Sequence, residues 1–305
     1  MRITFLMEQE TEESLPGLPG MKDLLEELKD RSIPWREIRP QAIDDGWQTE
    51  IEWDGEDLAV TDCQEAACLL AERHICCVGY QNGNLASYFE GVQMVVQSFE
   101  GLDVDFFRCI LGRFLGKTIV VGRTPRLILR ESRAEDFEAL YEISREKGND
   151  RYVDGMTGEE DLERAAYLSY VRQMYGFYGF GLWTVESKET GAVVGRCGLS
   201  LPSRECDELR KVLEKRQKDG GEAQEIYLEL GYLIGQKYQR RGYGLEAGRE
   251  VLDFAFRRLG CQAVYAVIHN DNFPSAGLAR KLGFSRLGGS PERLGKLELW
   301  RMRAG

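Results

Sequence analysis

The chain has 305 residues, enough for two domains. Its 43% hydrophobic and 10% aromatic content is that of a globular protein, and no apolar run approaches the ~18 residues of a membrane helix. The net charge of −11 sits in the first part: residues 1–125 carry 11 Lys+Arg against 23 Asp+Glu, the remainder 29 against 28, so the acidic part is a poor nucleic-acid binder.

Residues 1–8 are too short and too quickly acidic for a signal peptide. Eight cysteines with no Cys-x-x-Cys pair, beside only two histidines, predict reduced thiols, no metal, and a cytoplasmic protein. Residues 22–30 read as a short helix, 57–62 as a strand, 63–73 as a helix, 75–80 and 92–96 as strands and 103–114 as a helix. This alternation predicts a small parallel sheet in a three-layered unit. The run 58–80 resembles the late part of a HAD-like Rossmannoid core, but Asp103-Val104-Asp105 opens a helix and supplies no phosphatase nucleophile. Asp62 ends a strand where open α/β sheets take ligands, and a helix N-cap explains it equally. Residues 1–123 are therefore expected to be an acidic, non-catalytic accessory α/β domain. The short link at 122–125 predicts two domains packed together.

From 124 onward the pattern changes. Residues 125–131 read as a strand, followed by a helix capped by Ser132 with Glu135 at the capping-box position. A second, amphipathic helix covers 159–175, and 181–195 read as a hairpin. A strand over 226–234 leads into Gln239-Arg240-Arg241-Gly242-Tyr243-Gly244, and a helix over 245–258 follows. A glycine turn opening a helix aims free N–H groups at one spot, at the positive end of the helix dipole, and so suits a phosphate. A P-loop run is absent, and the Rossmann spacing fails by one residue at Gly242-x-Gly244-x-x-x-Gly248. A strand over 263–268 then precedes Asn270-Asp271-Asn272-Phe273-Pro274-Ser275 and a helix over 275–282 that stops at Gly283.

The run Gln239-x-x-Gly242-x-Gly244, followed about 30 residues later by Asn272-x-x-Ser275-x-x-Leu278-x-x-Lys281-Leu282-Gly283-Phe284, resembles the two acetyl-CoA motifs of the GNAT N-acetyltransferases. The strand Arg126-Leu127-Ile128-Leu129-Arg130 and the run Phe180-Gly181-Leu182-Trp183 resemble the branch that includes the ribosomal-protein N-terminal acetyltransferases. The resemblance covers residues 124–305. It implies an α/β (α+β) GNAT fold with a mixed central sheet flanked by helices, beside the small N-terminal α/β domain. It implies an acyltransferase with acetyl-CoA as co-substrate and no metal. The acceptor would be a small-molecule amine, a protein N-terminus or a lysine; no nucleic acid or membrane enters, and a homodimer is compatible.

On that resemblance, Gln239, Arg240, Arg241, Gly242, Tyr243, Gly244 and Leu245 hold the pyrophosphate, and Asn272 bonds the pantetheine arm or the acceptor. The amine attacks the thioester directly and needs a base, oxyanion donors and an acid for the thiolate. Glu229, an isolated acid inside an apolar strand where many relatives carry their base, is the first candidate, and Glu298 the second. Ala279 stands where the commoner acid, a tyrosine, is found, so Ser275 takes that role or caps its helix; Tyr232 and Tyr243 are further choices. Asp150, Asp154, Glu159 and Glu160 are expected near the amine. The charged insertion 203–225 lies beside the expected cleft as a lid, a partner contact or a solvated excursion. The alternative function is a non-catalytic acyl-CoA-binding sensor or assembly protein.

Overall fold

The computed structural model describes residues 1–7, 15–38, 52–81, 89–149, 156, 158–201, 228–287 and 296–304. The chain separates into two compact units, Met1–Ile119 and Val120–Gly305.

The first unit holds five parallel strands in the order β2-β1-β3-β4-β5: β1 (Arg2–Leu6), β2 (Trp35–Ile38), β3 (Asp57–Thr61), β4 (Cys76–Tyr80) and β5 (Met94–Val96). Strands β3 and β4 are buried along their whole length, as parallel strands covered on both faces must be. Helix α1 (Met21–Asp30) lies between β1 and β2, α2 (Gln64–Glu72) between β3 and β4, and α3 (Val104–Phe114) follows β5. Asp103 opens α3, its side chain accepting from Phe106 N. Two strands escape the sequence reading: β1, at the start of the chain, and β2 on the edge. The N-cap of α2 is Cys63 and not Asp62; Thr61 Oγ1 accepts from Cys63 N. Burial pushes the adjacent thiols Cys76 and Cys77 up, the first to about 12, so both stay protonated.

The second unit is an eight-stranded mixed sheet of order β12-β13-β11-β10-β9-β8-β7-β6. Its strands are β6 (Val120–Arg123), β7 (Leu127–Arg130), β8 (Leu182–Ser187), β9 (Val193–Ser200), β10 (Leu228–Ile234), β11 (Ala263–His269), β12 (Ser285–Leu287) and β13 (Leu297–Arg303). Only β10 and β11 run parallel; every other neighbouring pair is antiparallel. Because Val120–Arg123 pairs with β7, the link expected at 122–125 begins inside this sheet.

Helices α4 (Phe137–Arg145) and α5 (Glu160–Tyr178) cover one face, and α6 (Tyr243–Asp253) and α7 (Phe273–Leu282) the other. In α4, Phe137, Leu140, Tyr141 and Ser144 recur at helical spacing and are buried. Helix α5 starts with Glu160, Asp161 and Glu163 in its first turn, where acids suit the dipole, and ends at Gly179, whose φ of 70° closes it. Ala247, Val251, Leu252, Ala276, Ala279 and Leu282 pack against Val185, Cys197, Leu199 and Leu230 of the sheet.

One polar cluster is fully enclosed. Arg130, 4% exposed, donates two bonds to Asp136, at 2.6 and 2.7 Å, and one to Glu186 at 2.8 Å. Asp136 also accepts from Arg133 N, at 2.9 Å. The capping acid is thus Asp136 and not Glu135, and Ser132 is a buried hydroxyl 2.9 Å from Thr184 Oγ1 instead of a cap. Burial alone would push the Asp136 carboxyl up, but Arg130, the Arg133 N–H and Thr184 outweigh it and hold it below the usual carboxylate range. A depressed native value adds stability above the unfolded value of about 3.9 that is lost as pH falls through the native one. Asp136→Asn leaves Arg130 short of its bidentate partner and is expected to cost about 3–5 kcal/mol in urea unfolding at pH 7. The difference from wild type should shrink below about pH 4.

Candidate active site

The site follows from how β10 and β11 part. They pair only at Leu228↔Val264 and Glu229↔Tyr265. Beyond that, β10 bonds only β9 as far as Ile234, and β11 bonds only β13 as far as His269. The two parallel strands therefore open a gap towards their carboxyl ends, the side on which such sheets take ligands.

At the mouth of the gap, β10 passes through a short turn of 3-10 helix, Gln236–Tyr238, into α6. Gln239 Nε2 donates to Ile234 O at 2.9 Å and ties the turn back to the strand end. Arg240 has φ 57° and Gly242 φ 84°, two left-handed residues within three. Such strain at a non-glycine residue is typical of ligand-holding loops. Gly242 caps α6, and the first helical bond runs from Glu246 N to Gly242 O. The N–H groups of Tyr243, Gly244 and Leu245 precede that ladder and face the end of the helix. Exposed Arg240 and Arg241 stand beside them.

A clamp from outside the motif fixes this turn. Arg126 Nη1 donates to Arg241 O at 2.9 Å, its Nε donates to Glu246 at 2.7 Å, and its guanidinium lies 4.7 Å from the Tyr243 ring centroid. Thr124 Oγ1 donates to the same Glu246. Burial pushes the Glu246 carboxyl up, but Thr124 and Arg126 more than offset it and hold it low. Sequence reasoning misses Arg126 as a loop residue because its partners lie 115 and 120 positions away.

Gly244 has a packing role besides its place in the loop. A Cβ there would lie 3.1 Å from Leu278 Cδ2, and one at Gly248 would lie 2.9 Å from Leu282 Cδ1. These two glycines, one turn apart, let α6 lie against α7.

Across the gap, α7 begins at Phe273, with Asn272 as its cap: Asn272 Oδ1 accepts from Ser275 N at 3.2 Å. The helix thus starts two residues before the expected Ser275, which removes the capping explanation for that serine. Tyr232 of β10 reaches over and donates its hydroxyl to Ser275 O at 3.3 Å. Burial pushes the Tyr232 phenol up to about 12. Glu229, half-buried, sits at the last position where β10 and β11 are paired. Glu298 is separated from it by β11 and forms an ion pair with Arg286 at 3.1 Å. Tyr243 is buried in the core under Arg126, and Ala279 is 2% exposed against the same core, leaving no room for a larger side chain. Glu160 pairs with Arg164 at 2.8 Å. Asp150, Asp154 and the insertion 203–225 lie outside the described residues. Among the described residues, no group of metal-ligating side chains is found and no helix is long and apolar enough to cross a membrane.

A mixed sheet parted between two parallel strands, with an anion-suited helix start at its mouth, defines an acyl-transfer scaffold. The family model for the acetyltransferase (GNAT) domain matches residues 126–285, just over half the chain. The chain belongs to the GNAT acetyltransferase family and is an acyltransferase. It is 24% identical over 166 residues to an uncharacterized N-acetyltransferase, YnaD, of Bacillus subtilis (strain 168), a match spanning 54% of this chain and 82% of that one. Among solved structures, an acetyltransferase of Agrobacterium tumefaciens str. C58 is similar at 21% identity and a TM-score of 0.47, covering 61% of this chain and 94% of that one. RimJ of Mycobacterium smegmatis, in complex with CoA-disulfide, is similar at 15% identity and a TM-score of 0.46, covering 61% and 85%.

Gly242→Ala forces a Cβ into a left-handed conformation, 3.3 Å from the Arg126 guanidinium. It is expected to cost about 1–2 kcal/mol in thermal or urea unfolding. An unchanged midpoint would mean that the turn adopts another conformation.

Proposed function

We propose that the chain transfers an acetyl group from acetyl-CoA to a primary amine. The observation that carries this is the parting of β10 and β11 after two paired positions, with β10 leading on to the helix start at Gly242. The gap suits an extended thioester arm, and the N–H groups at 241–245 with Arg240 and Arg241 suit a pyrophosphate. Asn272 stands across the gap, within reach of the arm's amides.

In this reading, Glu229 at the closed end of the gap takes the proton that the amine loses as it attacks the thioester carbonyl. The carbonyl carbon gains the nitrogen, and the carbon–sulfur bond breaks. A backbone N–H of β10 supports the oxyanion. Ser275 passes a proton to the departing thiolate and regains one from water, to which Glu229 in turn releases the proton it took; Tyr232, which stays protonated, steadies Ser275 through its carbonyl. The first unit is an accessory module without a chemical step. Within the GNAT family the acceptor is an amine of a small molecule or of a protein terminus.

Thiol release from acetyl-CoA should be measured against polyamines, amino acids, aminoglycosides and N-terminal peptides, alongside calorimetry with CoA. Glu229→Gln is expected to lower kcat by about 10²–10⁴-fold with CoA affinity intact and to remove the fall in rate on the acidic side of the pH–rate profile. Gly244→Asp is expected to abolish CoA binding, through added negative charge and the clash with Leu278. Tight CoA binding with no turnover across the panel would favour a non-catalytic acyl-CoA sensor. An unchanged pH–rate profile in Glu229→Gln would remove the base from the mechanism.

A further inference from the structure

Four side chains form a row across the sheet on the face covered by α4 and α5: Arg130 of β7, Thr184 of β8, Arg196 of β9 and Leu233 of β10 are direct cross-strand neighbours. The two arginines flank one threonine but are treated differently. Arg130 is neutralised by Asp136 and Glu186. Arg196 has Met156 Sδ, a weak acceptor, 3.5 Å from its Nη1, and among the described residues no carboxylate forms an ion pair with it.

Among the described residues, three tyrosines and one carboxylate act on Arg196. Tyr167, Tyr170 and Tyr175 of α5 face it, with Glu163 further off. Tyr167 donates its hydroxyl to Arg133 O and Tyr175 donates to Leu182 O, while Tyr170 accepts from Leu182 N. Burial pushes all three phenols up, so they remain neutral. Glu163 accepts from Gly158 N at 3.0 Å. Protein crowds Arg196 on nearly every side, yet part of its surface stays open to solvent. Arg196 is thus a half-buried cation that solvent can still reach. Burying a charge without a partner is costly, and proteins seldom do so unless a ligand supplies the partner.

Arg196 also lies on the same side of the sheet as the proposed base. Glu229 and Arg196 share a face of the sheet, since Glu229 pairs with Ser200 and Leu233 with Arg196. Four residues, about 13 Å at ~3.3 Å each, separate them along β9.

We propose that Arg196 anchors a carboxylate of the acceptor, so that the acceptor is an amine bearing a carboxylate several bonds away. This rests on the reading of the cleft as an N-acetyltransferase site. Acidic peptide N-termini and free acidic amino acids both offer this chemistry.

The test uses matched pairs: glutamate against glutamine, and N-terminal peptides with Glu against Gln at the second position. Initial rates are compared for wild type, Arg196→Gln and Arg196→Lys, with calorimetric binding of the same acceptors in the presence of CoA. Wild type is expected to favour the carboxylate member of the pair it uses by about tenfold or more in kcat/KM. Which pair responds separates the free amino acid from the peptide source. Arg196→Gln should bring that ratio close to one by raising KM for the carboxylate member, with KM for acetyl-CoA unchanged. Arg196→Lys should keep part of the preference and serves if the glutamine variant does not fold. A wild-type preference for the amide members, or an unchanged ratio in the variants, overturns the anchor. If nothing is turned over but the carboxylate ligand binds wild type and not Arg196→Gln, the anchor stands and acetyl transfer falls. Neither turnover nor binding overturns the anchor as well.

Discussion

The constraint on which the second unit turns is that two parallel strands separate after two paired positions. Any sheet that opens must satisfy the backbone groups it releases. Here β9 and β13 hold the outer edges of the two parting strands in antiparallel ladders, so each half stays bonded while the middle opens. The opening is kept in shape by a cross-brace, the Tyr232 hydroxyl on Ser275 O, and by the helix that fills the mouth. Tyr232 and Ser275 meet across that one break in pairing, although 43 residues separate them in the chain.

Charge placement follows a second rule. Arg126, Arg130 and Arg196 each lie in or beside strands of this sheet, and each has a different fate. Arg126 clamps a loop and stays half in solvent. Arg130 is sealed and fully paired, joining the first strand of the family domain to its first helix through Asp136. Arg196 is half-buried and, among the described residues, meets Met156 Sδ and no ion-paired carboxylate. Local chemistry is the same in all three; what differs is how many carboxylates the neighbouring elements bring.

Much of this was legible in the chain. The glycine turn before α6 and the Asn272 motif before α7 have local signatures, since each uses backbone freedom or a side-chain cap within a few residues. The hairpin and the helices with clear apolar periodicity were legible for the same reason. What escaped depends on distance. The strand β1 at the chain start has a mixed run, Arg-Ile-Thr-Phe-Leu, whose burial comes only from neighbours on both sides. The capping acid of α4 is one residue from the expected one because Arg130, and not the helix alone, selects Asp136. Arg126 has no local signal. Arg196 has the same signal that drew attention to Glu229, a lone charge in an apolar strand, and only the register against Thr184 shows how unlike Arg130 it is.

The pair of glycines on α6 that meet Leu278 and Leu282 has a consequence for motion. With no side chain between them, the two helices interlock along a full turn, and the loop at Gly242 and the cap at Asn272 sit at adjoining ends of one rigid body. Thermal displacement of either end then carries the other with it. A bulkier residue at 248, outside the loop, would therefore act as a wedge between the two helices, spreading the jaws of the cleft from behind.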